Sequence, residues 1–343
     1  MPKKRATLSD IAKIAGVTPT AVSMVFRNKP GVSKQMRQRI LTLGRELQYV
    51  PLQQNTPAFE EERSEFYQLG FVSTSQDEPK LSGRGSSYLN TILNGCLSKA
   101  EELHCSVTLI TASSAQIQAG VLPVALRSRQ LDGLIVRSFL EPEVMEMLKA
   151  QQLPVVLLDC CRPYPMFSQI NINNFHGMML LVNHLKERGA QRLAVITGDM
   201  EHLNSQERLA GLQFHAWSAG LELPPENIII EHGYGETSGQ RGVQQLLDNG
   251  CRFDTLLGQN DLIAIGALET LRRNGLKIPQ DVRLAGFDNM EFSELLPRLT
   301  GVDSQAAEMG ATAVYQLYNM LRNRNSMPFQ IRVMPSLVVG QTT

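Results

Sequence analysis

From Leu69 onward, short apolar runs alternate with longer stretches whose apolar residues recur at helical spacing. No other feature constrains the fold as tightly. Strand-like runs fall at Leu69–Ser73, Ser106–Thr111, Leu131–Val136, Val155–Asp159, Leu193–Thr197, Ile228–Glu231, Thr255–Gly258 and Val282–Gly286. Helical patterns fall at Tyr88–Leu103, Glu143–Ala150, Phe175–Arg188, Ser205–Ala219, Ser238–Asp248, Asp261–Asn274 and Ser304–Leu321. Strand then helix, repeated, builds a parallel sheet with helices on both faces. Eight such units exceed one compact sheet, and 343 residues suffice for two or more folding units. The predicted class is therefore α/β, with two doubly wound parallel-sheet lobes.

Ligands of such folds sit at the carboxyl ends of the strands, and polar residues stand there. Asp159 ends "VVLLD", Asn260-Asp261 follows "TLLGQ", and Asp288-Asn289 follows "LAGF". Arg208 lies in the helix start "SQERLAG", and Asn173-Asn174 precede the helix near Phe175. Acid, amide and guanidinium groups from two lobes suit a small polar ligand. For Asp261 and Asn173, helix N-capping is the competing reading.

The first fifty residues differ from the rest. They hold ten Lys and Arg against Asp10 and Glu46, or +8, in a chain of zero formal charge. A basic module on an acidic body points to nucleic acid. Thr7 and Asp10 form a capping box for a helix carrying Leu8, Ile11, Ala12 and Ala15, which Gly16 stops. Thr18 caps a second helix with Pro19 in its first turn. Ala21, Val22, Val25 and Phe26 form its apolar stripe; Thr20, Ser23, Met24 and Arg27 form the opposite one. After the turn Asn28-Lys29-Pro30-Gly31, Ser33 caps a third helix that buries Met36, Ile40, Leu43 and Leu47. This is a helix-turn-helix pattern, whose second helix enters the major groove of duplex DNA.

The stretch "TLSDIAKIAGVTPTAVSMVF", followed by "VSKQMRQRILTLGRELQYVP", resembles the headpiece of the lactose-repressor (LacI/GalR) family of bacterial transcription regulators. The resemblance implies a DNA-binding set of Thr7, Thr18, Pro19, Thr20, Ser23, Met24, Arg27 and Lys34. Met24 stands where the family usually has Arg; it cannot make the bidentate bond to guanine but can touch a thymine methyl. After Tyr49-Val50-Pro51 the family has a hinge helix that wedges Leu into the minor groove. Here Pro57 falls inside that segment, Ala58 takes the Leu position, and Glu60-Glu61-Glu62 follow. Either Phe59 replaces the wedge or the linker is a flexible tether.

The resemblance continues from Leu69 to about Val339 and implies a core similar to periplasmic sugar-binding proteins. Matched motif by motif, Arg208, Asn260, Asp288 and Asp159 fall on effector contacts. Tyr234 takes the place of a stacking aromatic, Ser86 and Tyr88 lie in the loop after the first strand, and Asn173 joins the set. The implied domains are a headpiece at 1–50, a linker with atypical hinge at 51–68, and an effector and dimerisation core at 69–343. Within the core, lobe 1 spans about 69–171 and 304–332, and lobe 2 about 172–303 and 333–343. The implied partners are a double-stranded DNA operator, a small effector, with a sugar foremost, and a second copy of the chain in a homodimer.

No cofactor, metal site or enzyme motif is read. G-x-S-x-G, H-E-x-x-H and a phosphate loop are absent from the sequence. His176, His184 and Glu187 do not share one helical face, and "HGYGETSG" lacks dinucleotide-loop spacing. No apolar run approaches the roughly 18–20 residues that span a bilayer. Five cysteines without a C-x-x-C suggest reduced thiols and a cytoplasmic protein. Three functional classes stand: a ligand-controlled DNA-binding regulator, one controlled by a protein partner or a purine-type ligand, and a sugar-handling enzyme fused to a DNA reader. The third lacks a convincing acid–base pair.

Overall fold

The computed structural model describes residues 7–26, 29–47, 66–75, 87–113, 130–137, 145–146, 148–149, 153–160, 164–290, 297–323 and 327–343. It divides into two units, Met1–Phe66 and Tyr67–Thr343. The expected hinge at Pro57–Glu62 lies outside the described residues, as do Arg27 and Ser86.

In the first unit, α1 (Leu8–Ala15), α2 (Pro19–Phe26) and α3 (Lys34–Glu46) pack around one small core. Local chemistry fixes each end. The Asp10 amide donates to Thr7 Oγ1 at 3.3 Å while the Thr7 amide donates to Asp10 Oδ2 at 2.8 Å, a reciprocal capping box. Gly16 closes α1 at φ +72°, a left-handed conformation that costs glycine little. Thr18 Oγ1 accepts from the Ala21 amide (3.2 Å) and Ser33 Oγ from the Met36 amide (3.4 Å), starting α2 and α3. Ile11, Val22, Val25, Phe26 and Ile40 are buried at the centre.

The second unit holds two six-stranded sheets. The first contains β1 (Gln68–Ser75), β2 (Ser106–Ser113), β3 (Gly133–Arg137), β4 (Val155–Leu158), β5 (Ser168–Ile172) and β11 (Gln330–Val333), in the order β11-β5-β4-β3-β1-β2. The second contains β6 (Leu193–Thr197), β7 (Ile228–Ile230), β8 (Thr255–Gly258), β9 (Arg283–Asp288), β10 (Thr300–Asp303) and β12 (Ser336–Val338), in the order β12-β10-β9-β8-β6-β7. Among the described residues every strand pairing is parallel except β10 with β12. The chain crosses between sheets after Ile172, Asp303 and Val333, so each lobe is built from separated segments.

Helices α4 (Ser87–Glu102) and α9 (Ala306–Arg322) cross tightly on the first sheet's lobe. A side chain at Gly95 would strike the Ala307 carbonyl, and one at Gly310 the Ile92 carbonyl. The second lobe carries α5 (Asn174–Glu187), α6 (Leu203–Ala219), α7 (Glu236–Asp248) and α8 (Asp261–Arg273). Strands such as Leu193–Thr197 are buried at every position, which is why they read as continuous apolar runs. Among the described residues no helix is long and apolar enough to cross a membrane.

Candidate functional site

Two sites emerge, one in each unit. On the headpiece, α2 turns Val22, Val25 and Phe26 inward, leaving Thr18, Pro19 and Thr20 exposed and Ser23 and Met24 half-buried. Lys34 is exposed at the start of α3, and Thr7 at the start of α1. Gly31, at φ +120°, leaves room for Met24: a Cβ there would lie 2.9 Å from the Met24 Cε. The methionine therefore rests on the turn after its own helix. The Arg37 guanidinium donates to the Lys29 carbonyl at 2.6 Å, tying that turn to α3. Short hydroxyls at the N-terminal end of an exposed helix can reach base edges and phosphates.

In the core, strand ends bring charge together. Asp159 follows β4, Arg137 ends β3 and Asp288 ends β9. The Arg208 guanidinium, buried on α6, donates from Nη2 to Asp288 Oδ1 at 3.1 Å, from Nη1 to the Gln259 carbonyl at 2.8 Å and from Nε to Asn174 Oδ1 at 2.8 Å. Its Cζ lies over the Phe287 ring, 3.7 Å from the ring centre, an arrangement suited to a weakly hydrated, delocalised cation. Arg137 donates to Asp159 Oδ2 at 3.2 Å and sits 5.5 Å from the Tyr88 ring centre. Across the lobes, Asn204 Nδ2 donates to Asp159 Oδ1 at 2.8 Å.

Burial governs the protonation of this cluster. It pushes Asp288 up to about 6; Arg208 opposes the rise and Asp159 adds to it. The same burial raises the Tyr88 phenol, helped by Asp159 and Asp288 and opposed by Arg137 and Arg208. The phenol thus feels all four charges, two from each lobe. Asp159 (φ +51°) and Asp288 (φ +110°) both hold left-handed backbone, a strain found where side chains are aimed for a purpose.

Tyr234 and Asn260 stand beside this cluster. The Asn260 Nδ2 donates to the Tyr234 carbonyl (2.9 Å), while its Oδ1 caps α8 by accepting from the Ile263 amide (2.8 Å). Tyr234 lies over Gly198 and edge-on to His202, with ring centres 4.9 Å apart, and its hydroxyl donates to the Asp199 carbonyl at 2.9 Å. Burial lowers His202 to about 4, so it is neutral at physiological pH. Gln259 joins this group to Arg208: its Nε2 donates to Ser205 Oγ at 2.6 Å, and its Oε1 accepts from Thr197 and Gly198.

Helix capping is the competing reading for Asn173 and Asp261, and the structure separates the two. Asn173 caps α5, accepting from the His176 amide at 3.1 Å, and its amide nitrogen faces Met334. The residue that reaches Arg208 is its neighbour Asn174. The N-cap of α8 is Asn260 and not Asp261, which is buried, accepts from the Met290 amide at 2.6 Å and is pushed well above the usual carboxylate range by burial. Sequence reasoning placed Asn174 beside Asn173 without giving it a role, and missed Arg137, Asn204 and Gln259. Arg137 could have been found, because it ends the apolar run "GLIV" as Asp159 ends its own. Asn204 lies one helical turn before Arg208.

Comparison with known proteins bears on both units. Residues 7–52 match the model of bacterial regulatory proteins of the lacI family, and residues 182–343 match a periplasmic binding protein-like domain. The HTH-type transcriptional repressor PurR of Escherichia coli O139:H28 is 28% identical over 340 residues, covering 97% of this chain and 95% of the relative. The Lac repressor dimer bound to operator and the anti-inducer ONPF shares the fold, with TM-score 0.75 and 24% identity over 99% of each chain. So does a transcriptional regulator CelR–cellobiose complex, with TM-score 0.72 and 23% identity over 99% of this chain and 100% of that one. A lacI-type headpiece followed by a periplasmic-binding-protein-like core shows that this chain belongs to the LacI/GalR family of DNA-binding transcriptional regulators.

Proposed function

We propose that the chain is a homodimeric repressor whose operator affinity is set by a small neutral, hydroxyl-rich effector, a sugar, held between the lobes. The observation that carries this reading is charge balance. Asp159 and Asp288 face Arg137 and Arg208, so the cluster is neutral as a set. An ionic ligand would leave one charge in this buried place uncompensated, which is costly. A hydroxyl both donates to a carboxylate and accepts from a guanidinium, so a polyol satisfies acids and bases together. Tyr88 and Tyr234 supply the aromatic faces that such a ligand packs against.

On the DNA side, two headpieces read half-sites of a near-palindrome through Thr20 and Ser23, with Thr7, Thr18, Pro19, Met24, Arg27 and Lys34 around them. Effector changes the angle between lobes and so the spacing of the headpieces, with a coupling on the order of 1–3 kcal/mol. A thermal-shift panel of mono- and disaccharides, sugar acids, sugar phosphates and purine bases tests the ligand class. Stabilisation by a neutral sugar alone, lost in Arg208→Ala, is expected; a response confined to anionic members or purines refutes it.

A second reading has its own observation. Phe175, Phe214 and Trp217 are exposed on α5 and α6, with the Phe214 and Trp217 ring centres 6.2 Å apart. Such a patch favours control by a protein partner, and a panel with no binder among small molecules would turn attention to it.

A further inference from the structure

Asn174 is fully buried at the start of α5, immediately after the first crossing between sheets. Its side chain is shared among three partners. The Oδ1 accepts from Arg208 Nε at 2.8 Å, and the Nδ2 donates to Asn204 Oδ1 at 2.9 Å and Glu207 Oε2 at 2.8 Å. Each partner leads elsewhere. Arg208 pairs with Asp288. Asn204 reaches across to Asp159 on the first sheet's lobe at 2.8 Å. Glu207 is held by both arms of Arg332 on β11, at 2.7 and 2.8 Å, and one arm also donates to the Ile172 carbonyl at the crossing (3.2 Å).

These bonds tie the lobes at two of the described places, Asn204 to Asp159 in the charged cluster and Glu207 to Arg332 at the crossing. Both ties end on α6, within one turn of Arg208. Both meet in one amide group that has a single NH₂ and a single carbonyl to offer. Rotating or shifting that amide to serve one partner better serves the others worse. At Asn174 itself, which is fully buried, the loss is not made up by water.

We propose that Asn174 is a positioning residue that couples the Arg208 guanidinium to both interlobe ties, so that the two ties strengthen or weaken together. Its regulatory meaning rests on the reading of Arg208 as an effector contact. The coupling itself needs no ligand. A screen without binders leaves it standing, and its failure leaves the effector reading standing.

The test is a double-mutant cycle on the full-length chain, with no ligand added. Arg332→Gln removes one tie and Asn204→Ala the other; residues 332 and 204 are not bonded to each other. Unfolding in urea is followed for the single and double variants, and the cycle is repeated with Asn174→Ala. Independent sites multiply in their effect on the unfolding constant to within about two-fold. The expected result is a departure of at least about five-fold with Asn174 present, falling inside two-fold once it is removed. Two-fold agreement with Asn174 in place, or a departure that survives its removal, overturns the proposal.

Should the double variant not fold, Arg332→Lys keeps the charge but loses the two-armed grip. Titration of the Asp288 carboxyl, followed by carbon NMR, then reads the position of Arg208 directly. A loosened Arg208 holds Asp288 down less, so its midpoint should move above about 6. An unmoved midpoint overturns the proposal, because a purely mechanical role for Arg332 would leave that carboxyl alone.

Discussion

The headpiece and the cleft use the same residue types in opposite ways. In the first fifty residues Lys and Arg outnumber acids ten to two, and those described lie on a surface around a small apolar core. In the charged cluster, two Arg and two Asp are matched one to one and largely withdrawn from water. An unmatched, solvated charge acts over a Debye length and is weakened by salt; a matched, dry one acts only at hydrogen-bond range and resists salt. The first arrangement suits a polyanion found by its field. The second suits the small neutral ligand proposed above.

That contrast can be broken in order of expected effect. Arg208→Ala should destabilise the core by about 3–5 kcal/mol, because Asp288 is left buried without its partner. A urea series would show it, and effector response should vanish while operator binding in gel shifts persists. Ile11→Ala should cost the headpiece about 2–5 kcal/mol, abolishing operator binding and leaving the core's thermal transition in place. A variant that keeps its affinity would contradict the assigned headpiece core.

The cleft should also carry a pH dependence of definite sign. Asp288 titrates at about 6 in the folded protein, above its ordinary 3.8. Between these values the unfolded chain has released the proton that the folded chain keeps, so stability from this group falls as pH rises. The loss is on the order of 2–3 kcal/mol, complete above about pH 6. Asp261 shifts the same way, so Asp288→Asn should flatten the slope of stability against pH without removing it. An unchanged slope would place Asp288 in wetter surroundings than described.

Ser23→Ala should cost roughly 1–3 kcal/mol of discrimination at one base pair and leave the salt dependence unchanged. Selection of bound DNA from a random pool reads this. If instead affinity fell equally on all sequences, Ser23 would be a phosphate contact. The smallest effect is Thr7→Ala, about 1 kcal/mol from a lost cap, seen as earlier fraying of α1 by hydrogen exchange.

The sequence was most legible where interactions are local. Thr7, Asp10 and Gly16 announce α1 because cap and stop lie within a few residues of what they satisfy. Asp159 and Asp288 were visible because each closes an apolar run. The role of Asn174, and Asn204 altogether, were not, because an amide's partner lies tens of residues away and nothing in its neighbours names that partner. β5 escaped the reading of apolar runs for a related reason. All five residues of "SQINI" are buried, but three are polar and are satisfied from outside the strand. Gln169 donates to the Tyr164 carbonyl at 2.7 Å, and Asn171 accepts from the Cys160 amide at 2.9 Å. β11 and β12 are partly exposed edge strands and carry little apolar pattern.

One residue on α6 offers an optical consequence. Trp217 is the sole tryptophan of the chain, 77% exposed, and nine positions beyond Arg208 on the same helix. Its emission comes from one known place, long in wavelength and open to quenching by iodide or acrylamide. A macromolecule settling on that face would shift the light to shorter wavelength and shield it from quencher. The small effector proposed above, bound at Arg208 about 13 Å away along the helix axis, would leave the quencher's access alone. The native chain can thus report which of the two kinds of regulator it meets, with no label attached.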